Sequence, residues 1–66
     1  MRFEFEVILV KAIEDDETEN LIKGDFYLCI FDVHREVFID LEDPECQYSD
    51  HTIEIIERFK VVKEVR

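Results

Sequence analysis

The chain opens on an alternation. In "RFEFEVILVKA" the apolar residues Phe3, Phe5, Val7 and Leu9 fall on one parity, and Arg2, Glu4 and Glu6 on the other. A period of two marks a half-buried strand. From Ile8 onward Ile8, Val10 and Ala12 make the second parity apolar as well, so that end is expected to be covered on both sides. "DFYLCIFDV" is apolar on both parities, with Phe26, Leu28 and Ile30 against Tyr27, Cys29, Phe31 and Val33. It reads as a central strand. A tight reversal at "HRE" leads into "VFIDLE", where Val37, Ile39 and Leu41 alternate with Phe38, Asp40 and Glu42. This predicts a strand with one wetter face, stopped at Asp43-Pro44 because proline has no N–H to give to a ladder.

Two segments admit more than one reading. "EDDETEN", residues 14–20, separates two apolar runs and reads as a hairpin loop in which Asn20 takes a left-handed conformation. A short helix capped by Asp16, with Glu19 three residues on and Gly24 at its end, is the rival, but only Leu21 and Ile22 would anchor it. In "HTIEIIERFKVVKEVR", a strand puts Ile53, Ile55, Phe59, Val61 and Val65 on one face and Glu54, Arg58, Lys60, Glu64 and Arg66 on the other. Ile56, Glu57, Val62 and Lys63 break that pattern, which suggests a bend near Glu57. A helix over 50–62, capped by Ser49 or Asp50, would instead align Ile55, Ile56, Phe59 and Val62. The density of Ile, Val and Thr favours the strand. The expected fold is mostly β: a single domain over 1–66 built as a small antiparallel four-stranded meander or half-barrel. The alternative is α+β with a C-terminal helix over 50–62.

Size and charge narrow the function. A domain of 66 residues buries only a modest core and often needs a metal, a disulfide or a partner subunit; a homodimer would meet that need. Eighteen acids against eight bases give a net charge of −10, a field that repels nucleic acid and anionic membranes and attracts a basic protein surface. Acids also simply keep a small protein in solution. The longest run without a charge, Phe26 to Phe31, is six residues, far below the ~20 of a membrane helix. The opening residues read as a strand, not a leader, and a cytoplasmic location is expected. The two cysteines could form one disulfide, but nothing in the sequence points to secretion.

The acidity is uneven. Residues 14–20 carry five acids and no base, and residues 36–50 carry six and no base. In a meander, the loops after the first and third strands lie at one end of the sheet, so the two stretches are expected to meet there. The candidate partner-binding residues are Glu14, Asp15, Asp16, Glu17 and Glu19 on one side. Asp40, Glu42, Asp43, Glu45 and Asp50 lie on the other, with Tyr48 as an exposed aromatic anchor. The remaining aromatics are assigned to the core, not to base stacking.

Other chemistry has weaker support. "CIFDVH" and "CQYSDH" repeat one Cys/His spacing, and Cys29, His34, Cys46 and His51 are suitable zinc ligand types. The spacing is wider than usual for a zinc pair, however, and Cys29 sits within an apolar run. Asp40, Glu42, Asp43 and Glu45 lack the glycine and ligand spacing of a calcium loop. No phosphate-binding loop, nucleophile elbow or cofactor motif is present. The expected function is therefore non-enzymatic: an acidic protein that binds a basic surface on a partner, one form of which is a nucleic-acid-mimicking inhibitor. Viral and mobile-element proteins that antagonise host nucleases share this size and acidity. The alternative is a structural or assembly subunit that pairs through exposed sheet edges, with the acids serving solubility only.

Overall fold

A computed structural model describes residues 1–65; Arg66, which the sequence pattern put on the charged face of the last strand, lies outside the described residues. The chain forms one antiparallel sheet of five strands: β1 (Arg2–Ala12), β2 (Phe26–Asp32), β3 (Val37–Asp40), β4 (Gln47–Tyr48) and β5 (Ile53–Glu64). Their spatial order is β4-β3-β2-β1-β5. The mostly-β antiparallel expectation holds, with a fifth strand that the pattern did not reveal. β4 is only two residues long, too short to show a period.

The helical alternative for 50–62 is not seen. Only Asp50–Thr52 forms a single 3-10 turn, and β5 runs on from Ile53. β5 pairs with β1 along its whole length, from Ala12↔Ile53 to Arg2↔Glu64. The register slips once: Val10 faces Ile55 while Leu9 faces Glu57, which leaves Ile56 as the extra residue of a β-bulge. The bulge reverses the parity of β5. Ile53 and Ile55 therefore share a face with Val10 and Ala12, whereas Phe59 and Val61 share the opposite face with Val7 and Phe5. The single apolar face expected for Ile53, Ile55, Phe59, Val61 and Val65 is in fact divided between the two sides of the sheet.

The sheet must curl. Four residues, 49–52, connect β4 on one edge to β5 on the other. Such a link spans at most ~17 Å, whereas the edges of a flat five-stranded sheet stand ~19 Å apart. The connection crosses the inner, concave face and closes it, and Ile13 N–H bonds the Thr52 carbonyl at 3.0 Å. The core lies beneath it. Ile8, Val10 and Ala12 of β1, Cys29 of β2, Phe38 of β3 and Tyr48 of β4 are buried there with Ile53, and Leu21 and Cys46 descend onto them from the two long loops.

The outer face has no such cover. Only Phe38 among the six phenylalanines is buried; Phe3, Phe5, Phe26 and Phe59 are exposed on this face, and Phe31, which pairs with Phe38, is exposed on the inner one. This corrects the assignment of the aromatics to the core. It also corrects the two-sided covering expected for the end of β1, where Leu9 is only half-buried. Alternation identifies a face that is apolar, but a second layer is needed to bury it, and none of the described residues supplies one on this side.

The sheet is not closed along its length either. β1 pairs with β2 only over Ile8–Lys11, so Arg2–Val7 and the second half of β5 project as a two-stranded arm. A cleft of about 570 Å³ opens where β1 and β2 part, lined by Phe5, Glu6, Ile8, Ile30 and Phe31 among others. The molecule is accordingly long, 41 × 20 × 19 Å.

Candidate functional site

The connection after β1 is longer than a simple hairpin. It runs from Ile13 to Asp25 and is organised by a bridge between Asp16 and Leu21, whose N–H groups bond each other's carbonyls at 2.9 and 2.8 Å. Asn20 takes the left-handed conformation expected of it, at φ 55°, as does Gly24 at 91°. The loop's own carboxylates tie it down. Asp16 Oδ1 accepts the Thr18 N–H at 3.0 Å, and Asp15 Oδ1 accepts the Lys23 N–H at 2.8 Å.

This loop meets the second acidic stretch directly. Glu19 Oε2 accepts the backbone N–H of Gln47 at 2.8 Å, and the Asn20 amide lies 3.8 Å from Cys46 Sγ. Glu19 thus satisfies a donor on β4, the edge strand. The 14–20 loop and the β3–β4 turn of the second stretch form one end of the molecule, as the meander topology requires, while Glu36 and Asp50 of that stretch lie near the β2–β3 turn.

Within that end the carboxylates divide into two groups. Asp15, Asp16, Glu19, Asp40 and Asp43 are structural. Asp43 Oδ1 accepts the Glu45 N–H at 3.3 Å, and its Oδ2 accepts the Cys46 thiol at 3.5 Å. Asp40 is buried: its Oδ1 accepts the N–H groups of Glu42 and Asp43 at 2.8 and 3.2 Å, and its Oδ2 accepts the Tyr48 hydroxyl at 2.6 Å. Glu14, Glu17, Glu42 and Glu45, by contrast, are exposed and make no side-chain hydrogen bond or ion pair among the described residues. Asp50 is exposed but lies away from them, beside Phe31, Val33 and Glu36 near the β2–β3 turn, with His51 Nδ1 3.9 Å away.

Tyr48 is the main correction. Read as an exposed anchor, it is 2% exposed, with its ring 5.4 Å from that of Tyr27. Pairing of Tyr48 with Phe38 sets its ring on the inner face. Burial, followed by the hydrogen bond to Asp40, holds its phenol well above the ordinary tyrosine range.

The four zinc candidates do not converge. Cys29 is in the core and Cys46 is beneath the acidic loops, while His34 lies on the β2–β3 turn and His51 on the 3-10 turn. Among the described residues no three His, Cys, Asp or Glu side chains are placed to hold a metal ion, and this includes the Asp40–Glu45 stretch. Both cysteines are free thiols. Burial, and then the Asp40 charge, pushes Cys29 up to about 12; burial raises Cys46 too, against the opposing Asn20 contact. Neither is an activated nucleophile.

The pattern also missed a surface. On the arm, the inner face carries a ladder of charges: Arg58 Nη1 to Glu6 Oε1 at 2.6 Å, Lys60 Nζ to Glu4 Oε2 at 3.1 Å and Arg2 Nη2 to Glu4 Oε1 at 3.0 Å. The outer face of the same two strands is mainly apolar, with Glu57 and Lys63 as charges at its two ends. The alternation of Phe3 and Phe5 carries that signal, but alternation alone does not distinguish a core face from an uncovered one. Among the described residues no helix is long and apolar enough to cross a membrane. No family model, curated protein or solved structure matches this chain.

Proposed function

We propose that this chain is a small, non-enzymatic binding module whose acidic loop end docks on a basic surface of a partner protein. One observation carries the reading. Residues Glu14 and Glu17 stand on one loop and Glu42 and Glu45 on another, all exposed and without a partner among the described residues, and the two loops are clamped together through Glu19 and Gln47. Clustered carboxylates of this kind attract cations at long range, and because the two loops are already held together, the backbone that carries them need not be ordered on binding. In its sharper form the module imitates the phosphates of nucleic acid and inhibits a nucleic-acid-binding protein, as a viral or mobile-element antagonist would. Free thiols in both cysteines support a reducing, cytoplasmic setting.

The test uses a panel of basic nucleic-acid-binding domains. Binding should weaken steeply with salt, compete with duplex DNA, and fall at least about tenfold when Glu14, Glu17, Glu42 and Glu45 are all changed to Lys. Binding that ignores both salt and the four substitutions would sink the proposal.

A second reading, an assembly subunit, is favoured by the edge of the sheet. β5 is a twelve-residue edge strand with one side open to another strand. Its binding would survive charge reversal in the loops.

A further inference from the structure

We infer that the outer face of the β1/β5 arm is the contact surface of a symmetric dimer formed with a second copy of this chain. The inference is independent of the acidic end, and it concerns the face of the arm, not the open edge of β5.

The arm is an amphipathic ribbon. Its inner face bears the charge ladder, and its outer face bears Met1, Phe3, Phe5, Phe59, Val61 and Val65. Two strands alone are marginally stable in water and need a third strand or a packed layer. Phe3, Phe5 and Phe59 remain 48%, 43% and 40% exposed. With Met1, Phe26, Leu28 and Val65 exposed on the same side of the sheet, and ~200 Å² for each free Phe, on the order of 600 Å² of apolar surface is uncovered. This is at the upper end of about 300–600 Å² for the largest apolar patch of a monomer, where such patches are often functional, and it approaches the ~800 Å² per partner of a stable interface.

Charge selects the occupant. The chain carries −10, so two copies repel one another almost everywhere. The arm is the exception: Arg2, Arg58, Lys60 and Lys63 balance Glu4, Glu6, Glu57 and Glu64. It is also self-complementary. The charges on its outer face are Glu57, opposite Leu9, and Lys63, opposite Phe3. A two-fold axis passing midway between the Phe5–Val61 and Val7–Phe59 pairs sets Lys63 of one copy beside Glu57 of the other, twice. The centre of such an interface is apolar and its rim is charged, the usual anatomy of a protein interface.

Sedimentation equilibrium of the full chain, from micromolar to millimolar concentration, tests this. The expected species at high concentration has twice the 8.0 kDa chain mass. Phe5→Glu should abolish it. Because that variant could also unfold, a charge exchange gives a second handle: Glu57→Lys or Lys63→Glu alone should weaken the dimer about tenfold, and the double variant should restore it to within about threefold. Glu17→Lys in the acidic end should leave it unchanged, which separates this result from the fate of the proposed partner binding. A chain that stays monomeric throughout overturns the inference. So does a dimer indifferent to Phe5→Glu and to the charge exchange, which would indicate edge pairing. A monomer whose arm instead inserts into phosphatidylcholine vesicles overturns it as well.

Discussion

Tyr48 donates its hydroxyl to Asp40 at 2.6 Å on the inner face, a side-chain bond that reinforces the backbone ladder between β3 and β4 beneath the acidic loops. Asp40 uses its other oxygen to hold the N–H groups of Glu42 and Asp43. The pair therefore couples the position of β4 to the shape of the β3–β4 turn. Tyr48→Phe should cost about 1–3 kcal/mol, because it leaves a buried carboxylate oxygen without its donor. Asp40→Ala should cost more, since it strands three donors at once. Urea denaturation of both single variants and the double variant measures the coupling. A cycle with no coupling would mean that the bond contributes nothing to the fold.

The β2–β3 turn holds a residue in an unfavourable conformation. Glu36 sits at φ 57°, where a Cβ costs roughly 1–2 kcal/mol. Glu36→Gly relieves that cost but gives the unfolded chain more freedom, so a net gain of about 0.5–1 kcal/mol is expected. For a domain of this size that is a rise of several degrees in Tm. A fall in Tm would show that the Glu36 side chain contributes something the backbone angle hides.

The same turn sets an acid limb. Asp32 accepts the N–H groups of Arg35 and His34 and lies 3.1 Å from Arg35 Nε. The Arg35 N–H is the largest cause, with the His34 N–H and the guanidinium charge adding to it, and together they hold the Asp32 carboxyl below the usual aspartate range. A depressed folded value means that Asp32 contributes stability fully above its unfolded pKa and loses it as pH falls through the folded one. Asp32→Asn should flatten this part of the acid-denaturation curve. An unchanged curve would remove Asp32 from the account.

Cys29 contributes to the alkaline limb, together with Tyr48 and Cys46, which burial also raises. The Cys29 thiol titrates near 9 when free and is pushed up to about 12 in the fold, so its contribution is complete below about pH 9 and is lost as pH rises through the folded value. Stability should fall by up to about 1.4 kcal/mol per pH unit in that window. Cys29→Ala should reduce the slope, and in the native protein at neutral pH Cys29 should react with alkylating reagents only through unfolding. Rapid native-state labelling of Cys29 would contradict its burial.

Much of the fold was legible because β1 and β2 are long enough to show a period, and Asn20 fulfilled its turn chemistry. The rest turned on features without a local signature. β4 is held by a side chain 28 positions earlier, Glu19 on Gln47, and no window along the chain contains both. Tyr48 looked exposed because acids surround it in sequence, whereas its burial comes from pairing with Phe38. The candidate site was legible as charge but not as geometry. Which acids brace the loops and which face outward depends on backbone N–H groups that only the folded turns present.

The bulge at Ile56 has a consequence in genetic terms. β1 alternates without interruption, and β5 matches it only because one surplus residue resets its phase between Ile55 and Glu57. Loss of that codon leaves both halves of the ladder in register, with Phe59 still beside Val7 and Arg58 still facing Glu6's side of the ribbon. Loss of a codon within Glu4–Val7 would turn the residues on one side of the deletion over, setting phenylalanines among the charge ladder. Position 56 is thus where this strand can absorb a change of length, and a homologue lacking one residue there would keep the same two faces.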